Sequence, residues 1–185
     1  MNLLFKIFYE VPLTYAGDFV MNSRVRRYRL TSKESKKIIR EVLEKIPTMD
    51  NIFTKRKVSL EVIDLESAQL YLYEGIPTIV RKEGFFVPFI ERIIDSSVKL
   101  PNVVVDLGAV KFIAKGADVM GPGIVEADEE VSENRVVSVV DEKYKHPIAV
   151  GIALRDSRRI KTRGKSVKNI HHVNDKIWKF IKSSL

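Results

Sequence analysis

Residues 103–125, VVVDLGAVKFIAKGADVMGPGIV, constrain this chain more than any other stretch. Val103-Val104-Val105 reads as a strand, and the residues after it as a tight turn and one short helix. Gly116 stops that helix, and a second strand over 119–125 is broken at Gly121-Pro122-Gly123. The stretch holds no pattern of catalytic residues. It offers a short loop-and-helix platform, with Lys111 and Lys115 displayed beside backbone that glycines leave uncovered. Asp106 is expected to hydrogen-bond the amides of the turn that follows it.

The surroundings of this platform are strand-rich. Further strands are expected over 136–140, 148–154 and 167–173, with turns about every 8 to 15 residues, the spacing of a small barrel or sandwich. The first half reads differently. A basic strand over 24–30 (RVRRYRL) leads into Thr31-Ser32-Lys33-Glu34, a capping box that opens a helix. Ile38, Ile39, Val42, Leu43 and Ile46 give that helix one apolar stripe, and Pro47 ends it. Three short strands over 58–63, 68–73 and 78–80 follow, then the Glu83-Gly84 turn. A helix over 88–95 is expected to bury Phe89, Ile93 and Ile94, with Pro88 at its first position. This half is a small α+β unit. Residues 96–102 (SSVKLPN) are short, polar and contain Pro101, so the halves should touch rather than swing freely.

Composition narrows the function classes. With no cysteine there is no disulfide framework, thiolate nucleophile or cysteine-held zinc. No run approaches the roughly 20 apolar residues of a membrane-spanning helix. The N-terminus carries Lys6 and Glu10 among its apolar residues and lacks the layout of a secretory signal, so the expected compartment is the cytoplasm. Residues 3–8 suit a strand that Pro12 and Gly17 interrupt, and Met21 resembles a plausible start, so residues 1–20 read as a family-specific extension or as the product of an upstream start. There is no G-x-x-x-x-G-K-[ST], no G-x-G-x-x-G after a strand and no nucleophile–base set. His171-His172, adjacent on a strand, face opposite sides and make a poor metal signature. Asp128-Glu129-Glu130 lacks calcium-loop spacing and reads as an exposed hairpin tip. The expectation is a protein that is not an enzyme and has no cofactor.

The net charge of +8 points to an anionic partner without choosing among RNA, DNA and a membrane surface. Basic residues crowd 24–57 and 155–182, while 126–142 is acidic. Each basic segment taken alone fits a solvated face, but their separation suggests a surface polarised by sign. The sharpest is 155–165, RDSRRIKTRGK, a connection between strands. Its Arg155, Arg158, Arg159, Lys161, Arg163 and Lys165, interleaved with serine and threonine, suit phosphate contacts.

Residues 105–124, VDLGAVKFIAKGADVMGPGI, resemble the PUA domain, named for pseudouridine synthases and archaeosine transglycosylases. The V-D-x-G-A opening, the G-A-D-V-M turn and the P-G-I end carry the likeness. Gly164-Lys165-Ser166-Val167, Asn169-Ile170-His171-His172-Val173-Asn174-Asp175 and Trp178 resemble its closing strand and tail. From about Arg24 the chain is similar to a translation-associated group: the malignant-T-cell-amplified-sequence proteins, ligatin and archaeal relatives. In that group a pre-PUA domain precedes the PUA barrel. The resemblance implies an α+β N-terminal domain over 1–100 followed by a mainly-β PUA pseudo-barrel over 101–185. It implies an RNA face comprising Gly108, Ala109, Lys111, Phe112, Lys115, Gly116 and Ala117. Gly108 would permit a sharp turn, and Gly116 a left-handed helix cap.

Several of these residues also fit architecture. Gly121-Pro122-Gly123 reads as a bulge closing the barrel, Phe112 and Met120 as packing, and Trp178 as an anchor of the C-terminal helix or strand against the barrel. The expected partner is structured RNA, either tRNA or the rRNA of the small ribosomal subunit, and the resemblance implies a role in translation initiation or ribosome recycling. An accessory RNA-binding subunit for tRNA modification is the alternative. A protein partner docked through the N-terminal domain is compatible with both.

Overall fold

A computed structural model describes residues 25–183. The expectations for residues 1–20, the Met21 start and Arg24 lie outside the described residues.

The first half is an antiparallel meander with a helix against it. Strands β1 (Arg26–Arg29), β2 (Leu60–Leu65), β3 (Ala68–Tyr73), β4 (Ile76–Lys82) and β5 (Phe85–Pro88) lie side by side in chain order. Helix α1 (Ser32–Lys45) crosses between β1 and β2. Its capping box forms as expected: the Glu34 N–H donates to Thr31 Oγ1 at 3.3 Å, and the Thr31 N–H to Glu34 Oε2 at 2.9 Å. Ile39 and Val42 are buried, so the periodic stripe faces the sheet. Ser35, also buried, accepts the Leu60 N–H at 3.0 Å and ties helix to sheet.

The expected helix over 88–95 differs. Pro88 closes β5, paired with Ile79, and the helix is a single turn, α2 (Glu91–Ile94). Proline can end an edge strand because it forfeits only a donor the ladder does not need there. Phe89 is fully buried, but Ile94 is 48% exposed.

The second half is a nearly closed mixed barrel of β6 (Asn102–Val105), β7 (Val119–Met120), β8 (Ile124–Ala127), β9 (Val136–Asp141), β10 (Pro147–Ala153) and β11 (Lys165–His172). The spatial order is β7-β11-β10-β9-β6-β8, with only β6 and β9 parallel. Thus the strand expected over 119–125 is two strands at opposite ends of that order. The single 3₁₀ turn of Gly121–Gly123 joins them, so it is the seam at which the barrel closes. Helix α3 (Leu107–Ile113) plugs the chain between β6 and β7, and α4 (Lys176–Ser183) follows β11.

Alternation divides the barrel strands between two cores. Val137 and Val139 of β9 point into the barrel with Val103, Val105 and Ile113. Val136 of β9, Val150 and Ile152 of β10, Ile170 of β11 and Ile177 and Ile181 of α4 join the core of the first half. Polar links cross the same junction: Lys168 pairs with Glu83 and Lys182 with Glu91, each at 2.7 Å, and the Lys82 ammonium donates to the Ile170 carbonyl at 2.9 Å.

His171 belongs to this junction. It is fully buried, stacked on Phe89 with ring centroids 5.1 Å apart, and Nδ1 lies 2.6 Å from Asp175 Oδ2. Asp175 also accepts the Trp178 N–H at 2.8 Å and so caps α4. Burial pushes the Asp175 carboxyl up, but His171 and the N–H groups of Trp178 and His172 together hold it below the ordinary range. Trp178 stacks on Phe89 from the helix side, so it anchors α4 to the core of the first half rather than, as expected, to the barrel.

Candidate nucleic-acid interface

Helix α3 is short, and both of its ends are set by named groups. Asp106 is the N-cap, accepting the Ala109 N–H at 2.8 Å, while its own N–H donates to the Gly123 carbonyl at 3.0 Å. At the other end Gly116 takes φ +96°, and the Gly116 and Ala117 N–H groups donate back to Ile113 and Phe112. Gly116 is therefore the left-handed cap expected of it. Gly108 is not the turn residue: it lies within α3, where a Cβ would come 3.0 Å from Asp106 Oδ1. Its bare backbone makes room for the capping carboxylate.

Helical geometry places Leu107, Gly108, Lys111 and Phe112 of α3 within one arc of roughly 140°, and Lys115 follows in the turn that caps the helix. All five are exposed, and Ile113 on the opposite side is buried in the barrel. Phe112 is 57% exposed, not core, with the Lys111 ammonium 5.0 Å from its ring centroid. The helix has too few turns to bury both sides, and Val110 and Ile113 already occupy the inward one. Met120 is likewise exposed rather than packed. Lys111 and Lys115 have no carboxylate partner among the described residues.

Half of the cations of the connection 155–165 are already engaged. Arg155 Nη1 donates to the Thr162 carbonyl at 2.7 Å and to its hydroxyl at 2.6 Å, and Nη2 donates to the Arg163 carbonyl at 3.2 Å. Arg159 pairs with Asp156 at 3.2 Å and Lys165 with Asp118 at 2.7 Å. Burial pushes the Asp118 carboxyl up, but Lys165, the Asn169 N–H and Lys168 hold it below its ordinary value. Ile160, fully buried, pins the middle of the loop. Arg158, Lys161 and Arg163 are exposed and have no such partner among the described residues.

The two basic regions meet at the barrel seam. The Gly121 N–H donates to the Gly164 carbonyl at 2.8 Å, and a Cβ on Gly121 would lie 1.9 Å from the Thr162 carbonyl oxygen. On the other flank, a Cβ on Gly123 would lie 3.3 Å from Ala109 of α3. One turn of three residues therefore holds the loop on one side and the helix on the other.

The family profile of the PUA domain matches residues 101–173. The chain is 41% identical over 157 residues to an uncharacterized protein of Methanocaldococcus jannaschii, covering 84% of this chain and 96% of that one. It is 25% identical over 166 residues to translation machinery-associated protein 20 of Saccharomyces cerevisiae, covering 83% and 92%. It is 26% identical over 160 residues to malignant T-cell-amplified sequence 1 of Rattus norvegicus, covering 81% and 88%. The chain belongs to the malignant-T-cell-amplified-sequence group of PUA-domain proteins. Its PUA barrel carries α3 and the 155–165 loop, while the α+β half packs on the outer faces of β9, β10 and β11.

Around the PUA barrel, sequence reasoning passed over the β9–β10 turn. Its Lys143-Tyr144-Lys145-His146 interleaves aromatic rings with bases, a signal visible in the sequence but overshadowed by the acidic stretch before it. The two histidines 171 and 172 separate as adjacent strand residues must. Among the described residues no group of three or more His, Cys, Asp or Glu side chains is placed to hold a metal ion, and no helix is long and apolar enough to cross a membrane.

Proposed function

We propose that this protein binds structured RNA, tRNA or the rRNA of the small ribosomal subunit, in the cytoplasm during translation initiation or ribosome recycling. In this reading residues 1–100 form a pre-PUA domain and residues 101–185 the PUA domain that carries the RNA face. The observation that supports it most is the set of cations without carboxylate partners on either side of the Gly121–Gly123 turn, with exposed Phe112 among them. Lysines and arginines held at a rigid seam meet phosphates without a large ordering cost, and release the counterions condensed on them. Gly108, Ala109, Gly116 and Ala117 let a sugar–phosphate backbone approach α3 closely. Phe112 adds an apolar face on which an unpaired base can stack. The names of the yeast and rat relatives, matched along most of their length, support the assignment to translation.

The test is RNA crosslinked to the protein in cells and then sequenced, with Lys111→Ala/Lys115→Ala beside the natural chain. Recovery of tRNA or small-subunit rRNA, lost in the double variant, is the expected result. In vitro the pair should cost about tenfold in affinity per lysine and reduce the slope of log affinity against log salt by roughly two. Unchanged recovery would move the RNA face off α3. Pull-down before and after nuclease separates a protein docked on the N-terminal half from one bridged by RNA.

A further inference from the structure

The β9–β10 turn presents a second aromatic cluster beside α3. Tyr144 is 62% exposed, the largest exposure of any large hydrophobic side chain among the described residues. An aromatic left in water at a turn tip forgoes most of its burial free energy. Yet this tip is rigidly built. Asp141 accepts three N–H groups, from Lys143 at 2.9 Å, Tyr144 at 2.6 Å and His146 at 2.8 Å. The Tyr144 N–H, against an opposing push from burial, and the His146 and Lys143 N–H groups hold the Asp141 carboxyl below its ordinary range. Lys145 takes a left-handed φ of +56°, which folds the chain back and sets His146 against Tyr144 with ring centroids 5.7 Å apart and planes 22° from parallel. The Lys143 ammonium stands 4.9 Å from the same ring.

The turn is also bolted to the proposed RNA face. Glu142 Oε1 accepts the Leu107 N–H, the first of α3, at 3.1 Å, and the Glu142 N–H donates to the Val105 carbonyl at 3.0 Å. Tyr144 thus lies two residues along the chain from the contact that ties this turn to the N-terminal end of α3. Tyr144 and Phe112 each carry a lysine over the ring, Lys143 and Lys111 respectively. The carboxylates nearby are engaged: Glu142 with the Leu107 N–H, Asp141 with its own turn and Glu126 with Lys145 at 3.3 Å.

We propose that Tyr144, backed by His146, is a stacking site for an unpaired nucleobase of the RNA held on α3. The inference rests on that reading of α3 and deepens it: the preferred ligand has a single-stranded end or bulge next to its duplex, not a duplex alone. His146 supplies one wall for the tyrosine. Lys143, a flexible exposed chain, swings from the ring to a neighbouring phosphate when a base stacks. Every base has a π-face, so the site favours unpaired RNA without reading its sequence.

The probe is an RNA hairpin with a single-stranded 3′ tail carrying 2-aminopurine, compared with the same hairpin blunt-ended, both titrated with the full chain. The tailed hairpin should bind more tightly and its fluorescence should quench. Tyr144→Ala should weaken the tailed hairpin about tenfold, abolish the quenching and leave the blunt hairpin unchanged, while Tyr144→Phe retains both signals. Lys111→Ala/Lys115→Ala should weaken both hairpins. If the lysine pair matters but Tyr144→Ala leaves the tail's affinity alone, or weakens both hairpins equally, the stacking site is overturned and the reading of α3 survives. If the lysine pair weakens neither hairpin, that reading fails and the stacking site built on it fails too. A protein retained from nuclease-treated lysate by the natural chain and lost with Tyr144→Ala, with RNA affinities equal, overturns the site in favour of a protein-docking turn.

Discussion

Helix α3 and the 155–165 loop are both basic and lean on the same three-residue turn, yet they hold their charge in different ways. The loop has more cations and consumes three: Arg155 on backbone carbonyls, Arg159 on Asp156 and Lys165 on Asp118. The helix and the turn that caps it carry two, Lys111 and Lys115, and pair neither with a carboxylate among the described residues. Charge counted along the sequence is therefore a poor guide to charge available to a polyanion. An ion pair already made must be broken, or must share its cation, before a phosphate gains anything from it.

Loss of the common support should disturb both regions most. Gly121→Ala places a methyl carbon 1.9 Å from the Thr162 oxygen, a backbone atom that cannot rotate away. The loop must lift from the seam or β7 must leave β11. Overpacking of this kind should cost about 3 kcal/mol, a fall in melting temperature of roughly 10 °C for a chain this size, read by circular dichroism. Affinity should drop for loop and helix contacts together. A stable variant with normal RNA binding would show that the seam does not register the two regions.

Arg155→Ala separates them. The guanidinium closes the loop through Thr162 and Arg163, and a Cβ on Gly164 would lie 2.9 Å from Arg155 Nη2, so the two are closely fitted. Losing charge-assisted hydrogen bonds that organise carbonyls should cost about 2 kcal/mol of stability, measured by urea denaturation. RNA binding should weaken only through the displaced Lys161 and Arg163, with a smaller change in salt slope than Lys111→Ala/Lys115→Ala produces. A slope change as large as that pair's would make Arg155 itself a phosphate ligand.

The parts of this arrangement that local rules govern were legible in the sequence. The Thr31–Glu34 capping box, the Gly116 cap and the Asp106 turn contact follow from groups within a few residues of one another, and each forms as expected. What was not legible depends on contacts distant in sequence. Whether Phe112 is core or surface depends on how much of α3 the barrel covers, and periodicity over so short a helix cannot say. Ile94 is exposed because Pro88 remains in β5 and leaves the helix a single turn. The strand over 119–125 divides because β7 and β8 find different partners, β11 and β6. The pairings that consume Lys165 and Arg155 cross turns whose geometry sets them. The Tyr144 cluster was readable as composition but not as a neighbour of α3, since the Glu142 contact to Leu107 that joins them links residues far apart in sequence.

Freeing Lys165 from its ion pair should act in the opposite direction and by less. Asp118→Asn keeps an oxygen for the Asn169 N–H, now accepted at 3.0 Å, and removes the charge that holds Lys165. Released, Lys165 joins Arg158, Lys161 and Arg163 as a free cation on the loop. Affinity for RNA should rise about twofold at physiological salt, and the log–log salt dependence should steepen by up to about 0.9, the increment of one additional phosphate contact. Acidification cannot substitute for the mutation. With its carboxyl held below the ordinary range, Asp118 keeps its charge, and the pair its contribution, until the pH falls under about 4. An unchanged slope in Asp118→Asn would mean that Lys165 does not face the RNA even when free, and would confine the phosphate contacts of the loop to residues 158–163. A steeper slope would establish that pairing, not position, keeps Lys165 from the ligand.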